Sequence, residues 1–168
     1  GQIDEEVYVT GSFVQSKMFH KGVKCVDCHD PHTARTLTKG NALCMRCHVP
    51  KPENPTLYDS PTHHHHEAGT KGAMCVECHM PEKTYMVVDP RRDHSIRVPR
   101  PDLSVKLGTP NACNRCHDDK DAKWSADWIV KWHGPDRARD VRHAETFAAA
   151  RNDEPGVEKR LLAAVNDT

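Results

Sequence analysis

Cys-x-x-Cys-His occurs four times in 168 residues and takes up all eight cysteines. The units are Cys25-Val-Asp-Cys28-His29, Cys44-Met-Arg-Cys47-His48, Cys75-Val-Glu-Cys78-His79 and Cys113-Asn-Arg-Cys116-His117. Two thiols at this spacing can each add across a vinyl group of a haem. The histidine that follows is then held against the iron as its proximal ligand. The pattern therefore predicts four covalently bound haem c groups. Cys25, Cys28, Cys44, Cys47, Cys75, Cys78, Cys113 and Cys116 would form the thioethers, with His29, His48, His79 and His117 on the irons.

A pair of zinc ribbons is the competing reading, because Cys28 and Cys44 are separated as in a Cys-x-x-Cys…Cys-x-x-Cys site. Zinc does not require a histidine after every second cysteine. With 13 histidines in the chain, four such placements by chance are on the order of a few in 100,000. Haem is the stronger reading, and with every cysteine committed to a thioether no disulfide is expected.

An iron that is not catalytic needs a sixth ligand as well. Nine histidines lie outside the motifs: His20, His32, His63, His64, His65, His66, His94, His133 and His143. They are enough to close four irons, which makes methionine ligation by Met18, Met45, Met74, Met80 or Met86 the weaker reading. His20 precedes the first motif in His-Lys-Gly-Val-Lys-Cys, where glycine permits a sharp turn. His32 follows Pro31, which directs it away from its own iron toward a neighbouring one. In the run His63-His64-His65-His66, residues three apart can share a face, so His63 and His66 are favoured together. His94 stands among Arg91, Arg92, Arg97 and Arg100, which suit haem propionates. His133 and His143 read as structural.

The elements that position these groups are sparse. Only 36% of residues are hydrophobic and 5% aromatic, with 12 prolines and 9 glycines; the mean hydropathy is −0.77. Such a chain approaches a disordered composition, so apolar porphyrin must supply the core, and the unhaemed polypeptide is expected to be largely unfolded. Residues 6–14 read as a short strand or extended arm, and 51–62 as a proline-rich loop. Trp124, Trp128 and Trp132 line one helix face, with Asp119 or Asp121 as cap and Gly134-Pro135 as stop. Residues 137–150 read as a second helix. A third starts at Asp153-Glu-Pro155, with Pro155 in its first turn. The tryptophan stripe reads as packing rather than as an electron relay.

Basic and acidic side chains balance at 24 each, and no basic stretch suits nucleic acid. No apolar run reaches membrane-spanning length. Gly1-Gln-Ile-Asp4 reads as a mature N-terminus without a signal peptide. Covalent haem attachment implies an exported protein, periplasmic or extracellular.

The segments His20-Lys-Gly-Val-Lys-Cys-Val-Asp-Cys-His-Asp-Pro-His32, Gly40-Asn-Ala-Leu-Cys-Met-Arg-Cys-His48, Gly72-Ala-Met-Cys-Val-Glu-Cys-His-Met-Pro81 and Val88-Asp-Pro-Arg-Arg-Asp-His-Ser95, the last leading to Pro110-Asn-Ala-Cys-Asn-Arg-Cys-His117, resemble exported multihaem cytochromes. The likeness is to the cytochrome c-554 and pentahaem nitrite reductase group, and within it to tetrahaem modules often followed by tetratricopeptide-like repeats. It covers roughly residues 15–135. It implies closely stacked, mostly bis-histidine haem pairs, with His20, His32, one or two of His63 to His66, and His94 as distal ligands. All four motifs end in histidine here, without the lysine that marks the catalytic haem of the reductases.

The expected fold class is mainly α with much irregular structure: a small multihaem cytochrome c fold wrapped around four haems. Residues 1–120 would form the tetrahaem core and 121–168 a helical C-terminal segment packed on it. The expected function is electron transfer without catalysis. Its partners would be redox proteins, with a homopolymer forming an extracellular conductive filament permitted by the N-terminal arm and surplus histidines. Reduction of a small nitrogen or sulfur oxyanion at a five-coordinate haem is the alternative.

Overall fold

Short helices, one hairpin and long irregular connections are what this polar, proline-rich chain forms. The computed structural model describes residues 8–135 and 142–166. The chain divides into two compact units, Gly1–Pro99 and Arg100–Thr168. The fourth motif falls in the second unit. A division at residue 120, where the motifs end, is one by cofactor and belongs with the proposal below.

In the first unit, α1 (Thr10–Phe13) and α2 (Lys17–His20) meet at Ser16, whose side chain accepts from Phe19 N at 3.1 Å and caps α2. The rings of Phe13 and Phe19 pack edge to face at 5.8 Å. The expected strand or arm at 6–14 is thus helical from Thr10 to Phe13, and residues 1–7 lie outside the described residues. Gly22, at φ 84°, closes α2. Val23 N bonds to Met18 O at 3.1 Å and Gly22 N to Phe19 O at 2.9 Å, which turns the chain sharply from His20 into the first motif.

Next come α3 (Ala42–Met45), α4 (Pro61–His64) and α5 (Cys75–His79). The antiparallel strands β1 (Glu82–Tyr85) and β2 (Asp89–Arg92) follow, in register Glu82 to Arg92 and Tyr85 to Asp89. The hairpin turn holds Met86 and Val87 at positive φ, 47° and 70°. It returns the chain beside the third motif: Asp93 N reaches Pro81 O at 3.0 Å and Arg97 N reaches His79 O at 3.0 Å.

In the second unit, α6 (Pro101–Leu107) starts with proline at its first position and ends on Gly108 in the left-handed region. It packs on α7 (Ala122–His133) and α8 (Arg142–Arg151), and α8 packs on α9 (Val157–Val165). Asp121 caps α7 through Trp124 N at 2.7 Å, and Gly134 ends it. The expected second helix is described from Arg142 onward; residues 136–141 lie outside the described residues. Pro155 is not in the first turn of α9, which begins after Gly156 at φ 74°.

The fold is therefore small and mostly helical, with irregular stretches and a little sheet. Among the described residues only Phe13, Ala73 and Ala149 are buried hydrophobics. Serines, Asp93 and Thr146 make up most of the remaining buried set. The polypeptide alone builds almost no apolar core.

Candidate haem-attachment site

Each motif folds as one helical turn. The histidine N–H donates to the carbonyl of the first cysteine in His29 (2.8 Å), His48 (3.0 Å) and His117 (3.0 Å), and the third motif is the helix α5 itself. Residues i, i+3 and i+4 of a turn share a face. Both thiols and the imidazole of each motif therefore address the same side, as attachment to one planar macrocycle requires. All eight cysteines are free thiols. Among the described residues, no three His, Cys, Asp or Glu side chains gather as ligands of a bare metal ion.

Two of the four motif histidines are tethered at Nδ1. His29 Nδ1 lies 2.7 Å from Ala34 O, and His79 Nδ1 lies 2.8 Å from Arg97 O. A carbonyl only accepts, so Nδ1 carries the hydrogen and the lone pair stays on Nε2, the arrangement of a metal-bound imidazole. For His29 the acceptor is presented by a small loop. Asp30 Oδ1 accepts from Thr33 N (2.8 Å) and His32 N (3.1 Å), and these bonds hold its carboxyl below the usual carboxylate range, Thr33 contributing most.

Two further histidines face these rings. His29 and His94 have ring centroids 6.3 Å apart with planes at 29°, and His63 and His79 lie 6.3 Å apart at 6°. A metal–imidazole bond is about 2.0–2.1 Å and a ring centre lies about 1.1–1.2 Å beyond its nitrogen, so imidazoles trans on one metal have centroids about 6.2–6.6 Å apart. Both pairs have that separation. His94 is oriented in the same manner as the proximal histidines, with Nδ1 2.9 Å from Arg92 O. Buried Asp93 fixes the turn around it, accepting from Ser95 N at 2.8 Å and Ser95 Oγ at 2.7 Å.

The histidine run divides. α4 ends at His64, and His65 takes φ 57°, so His63 and His66 do not share a face as expected from their spacing. His63 looks toward His79. His66 Nδ1 donates to His64 O, while His64 Nδ1 accepts from His66 N at 3.2 Å. The lone pair for a metal is thus on Nε2 in His66, whereas in His64 Nε2 bears the hydrogen. The His66 ring lies directly over Gly72, where an added Cβ would stand 2.3 Å from Cδ2. Burial pushes His64 and His65 below the ordinary imidazole range. His20 and His32 are exposed; His20 ends α2 with its ring against Phe19 at 5.6 Å.

The motifs of the first unit are tied by polar side chains. Arg46 Nη1 donates to Asp27 O at 2.6 Å, joining motifs one and two. Asn41 joins motifs two and three: its amide donates to Asp59 Oδ1 (2.7 Å) and Ala73 O (2.9 Å), and its Oδ1 accepts from Cys75 N (2.9 Å). The Cys75 thiol donates toward the Cys44 sulfur, which lowers Cys44 to about 7 and raises Cys75. Burial raises Cys28 and Cys113. None of the sequence signals pointed to Asn41, although it stands three residues ahead of Cys44.

The arginines around His94, expected to suit haem propionates, have protein partners. Arg91 pairs with Asp89 at 2.7 Å, Arg92 with Glu77 at 2.6 Å and Arg100 with Asp102 at 2.6 Å, while Arg97 Nε donates to Ser95 Oγ at 2.7 Å. In the second unit, His117 of the fourth motif packs against Trp124 at 4.9 Å. Trp128 follows at 6.1 Å and Trp132 at 5.3 Å.

One-turn Cys-x-x-Cys-His units, tethered imidazoles and a nearly absent apolar core define a chain suited to covalent haem c. Residues 17–53 match the family described as Doubled CXXCH motif. The match spans the first two motifs and supports a multihaem c-type cytochrome. No curated protein and no solved structure matches the chain. Among the described residues, no helix is long and apolar enough to cross a membrane.

Proposed function

We propose that the chain is an electron-transfer cytochrome carrying four haem c groups, one on each motif, with mostly bis-histidine irons. The observation that supports this reading is the 6.3 Å separation of the His94 ring from His29 and of the His63 ring from His79, a spacing that two imidazoles on one iron would also have. The bound haem supplies one-electron iron chemistry; the polypeptide orients its ligands and excludes exchangeable ones. Nδ1 tethers on His29, His79 and His94 hold each ring in the tautomer with its lone pair on Nε2, the form that would bind the iron.

Two irons then remain, for which His20, His32 and a second histidine of His63 to His66 are the candidates that the resemblance to the cytochrome c-554 and nitrite reductase group implies. Residues 1–120 then hold the haems, and residues 121–168 continue as helices beyond the last motif. The partners are redox proteins that approach an exposed haem edge, and the protein works outside the cytoplasm, where haem c is attached.

The test is a haem count with a spin-state measurement. Four haems per chain are expected by pyridine haemochrome, all low-spin, with spectra unchanged by carbon monoxide or nitrite. A high-spin iron that binds nitrite would replace electron transfer with reductase chemistry. His63→Ala should open one iron, and a spectrum unaltered by it would remove the pairing with His79.

A further inference from the structure

The proline-rich loop at 51–62 has no ligand of its own, yet it is built to present one aromatic ring. Lys51 and Asn54 close a tight turn through Lys51 N to Asn54 O (2.9 Å) and Asn54 N to Lys51 O (3.0 Å). From that turn Asn54 Nδ2 donates to the Tyr58 hydroxyl at 2.7 Å. The phenol is thereby fixed at both ends, by its backbone and by its oxygen.

The Tyr58 ring lies between the imidazole of the second motif and one that faces the histidine of the third. Its centroid is 5.7 Å from His48 with planes at 86°, and 5.1 Å from His63 with planes at 87°. Both contacts are edge to face, the geometry aromatic quadrupoles favour. His48 is the proximal histidine of motif two. His63 is the ring opposite His79 of motif three. The order His48, Tyr58, His63, His79 is an unbroken row of rings.

We infer that Tyr58 is a positioning residue that sets the imidazole planes of two irons together, the second and the third, and forms the contact between their ligand systems. This rests on the haem reading above. A ring clamped edge-on cannot rotate about its metal bond without pushing the tyrosine. Because Tyr58 touches both rings, the two planes are set by one side chain. The phenol accepts a hydrogen bond from Asn54, and its role is orientation and contact, not oxidation. Ligand-plane orientation governs the anisotropy of a low-spin ferric haem, which gives the inference a spectroscopic signature.

The experiment compares EPR spectra of the oxidised, fully haem-loaded wild type, Tyr58→Leu and Tyr58→Phe. Tyr58→Leu should shift two of the four low-spin signals and leave two in place, and Tyr58→Phe, which keeps the ring, should restore the wild-type pattern. Unchanged signals in Tyr58→Leu, or shifts in all four, would overturn the inference. Should Tyr58→Leu fail to fold, nuclear Overhauser contacts in the reduced, diamagnetic wild type provide the second reading: the Tyr58 ring should show cross-peaks to both His48 and His63, and contact with one alone refutes it. A wild-type chain without covalent haem overturns the haem reading and the inference with it. A haem-loaded chain indifferent to Tyr58 overturns the inference alone.

Discussion

Replacing His94 tests the ligand assignment most directly. His94 faces His29 at 6.3 Å and is held by Arg92 O through Nδ1. In His94→Ala the ring is lost, and the remaining Cβ stands roughly 5 Å or more from the metal position, since the imidazole spans about 3.6 Å from Cβ to Nε2 and the bond adds about 2.0 Å. No side-chain atom then reaches the iron from that direction, and a water or an added ligand takes the place. One iron in four should become high-spin and bind carbon monoxide, one molecule per chain. The turn around residue 94 survives, because the Asp93–Ser95 bonds use backbone and neighbouring side chains.

Epistasis identifies which iron is opened. In a Cys25→Ala, Cys28→Ala background the haem of motif one is not attached, and His94→Ala should add no high-spin signal. In a Cys75→Ala, Cys78→Ala background it should still add one. Non-additivity of this kind is the signature of two changes acting on a single site. The assay is EPR with carbon monoxide titration on haem-quantified protein. Four low-spin irons in His94→Ala would refute the pairing. A high-spin iron that persists after motif one is emptied would show that His94 serves another haem.

Asn41→Ala removes three hydrogen bonds, one to Asp59 and two that reach Ala73 and Cys75 at the third motif; at about 1 kcal/mol each, a loss of about 3 kcal/mol should appear in chemical denaturation with the haem count unchanged. Trp128→Ala breaks a stack with Trp124 and Trp132 and a cation contact from Lys131 at 4.0 Å; a half-buried tryptophan should cost about 2–3 kcal/mol. Its rate of reduction by dithionite in stopped flow should stay unchanged, because indole oxidation lies far above bis-histidine haem potentials. The Arg100 fork holds Asp102 below the usual carboxylate range. Its stabilisation is therefore present above the unfolded carboxylate pKa and lost as pH falls through the lowered folded value, so Asp102→Asn should flatten that acid limb in thermal melts.

The cofactor was legible because covalent attachment demands a fixed local spacing, and local spacing survives in a bare sequence. Helix α7 was legible for a similar reason: its tryptophans repeat at helical period, Asp121 caps it and Gly134 ends it. The hairpin was not. Its turn places Met86 and Val87 at positive φ where Gly or Asn is the usual signal, so nothing local announces it. α6 was hidden among Pro99, Pro101 and Pro110, although proline at its first position and Gly108 after its last are ordinary helix boundaries. Three of the arginines near His94 meet partners two residues away, Arg91 with Asp89, Arg97 with Ser95 and Arg100 with Asp102, while Arg92 reaches Glu77 inside the third motif. The approach of His94 to His29 was illegible because it depends on the hairpin bringing residue 94 back.

That return gives the hairpin its purpose. Over the five residues it delivers, Arg97 O tethers His79, His94 faces His29, and buried Asp93 with Ser95 locks the turn between them. One short segment thus tethers the histidine of motif three and faces the histidine of motif one. Asn41 links motif two to motif three in the same manner, and Tyr58 adds an aromatic contact between the same two motifs. Such links are directional hydrogen bonds and edge contacts. They fix geometry well but, in water, each contributes only about 1 kcal/mol. With Phe13 and Ala73 as the buried hydrophobics among the described residues of the first unit, they cannot by themselves repay the conformational entropy of ordering it. The polar clasps therefore specify where each ligand stands, and the apolar surface of the macrocycles must supply most of the driving force that lets them form.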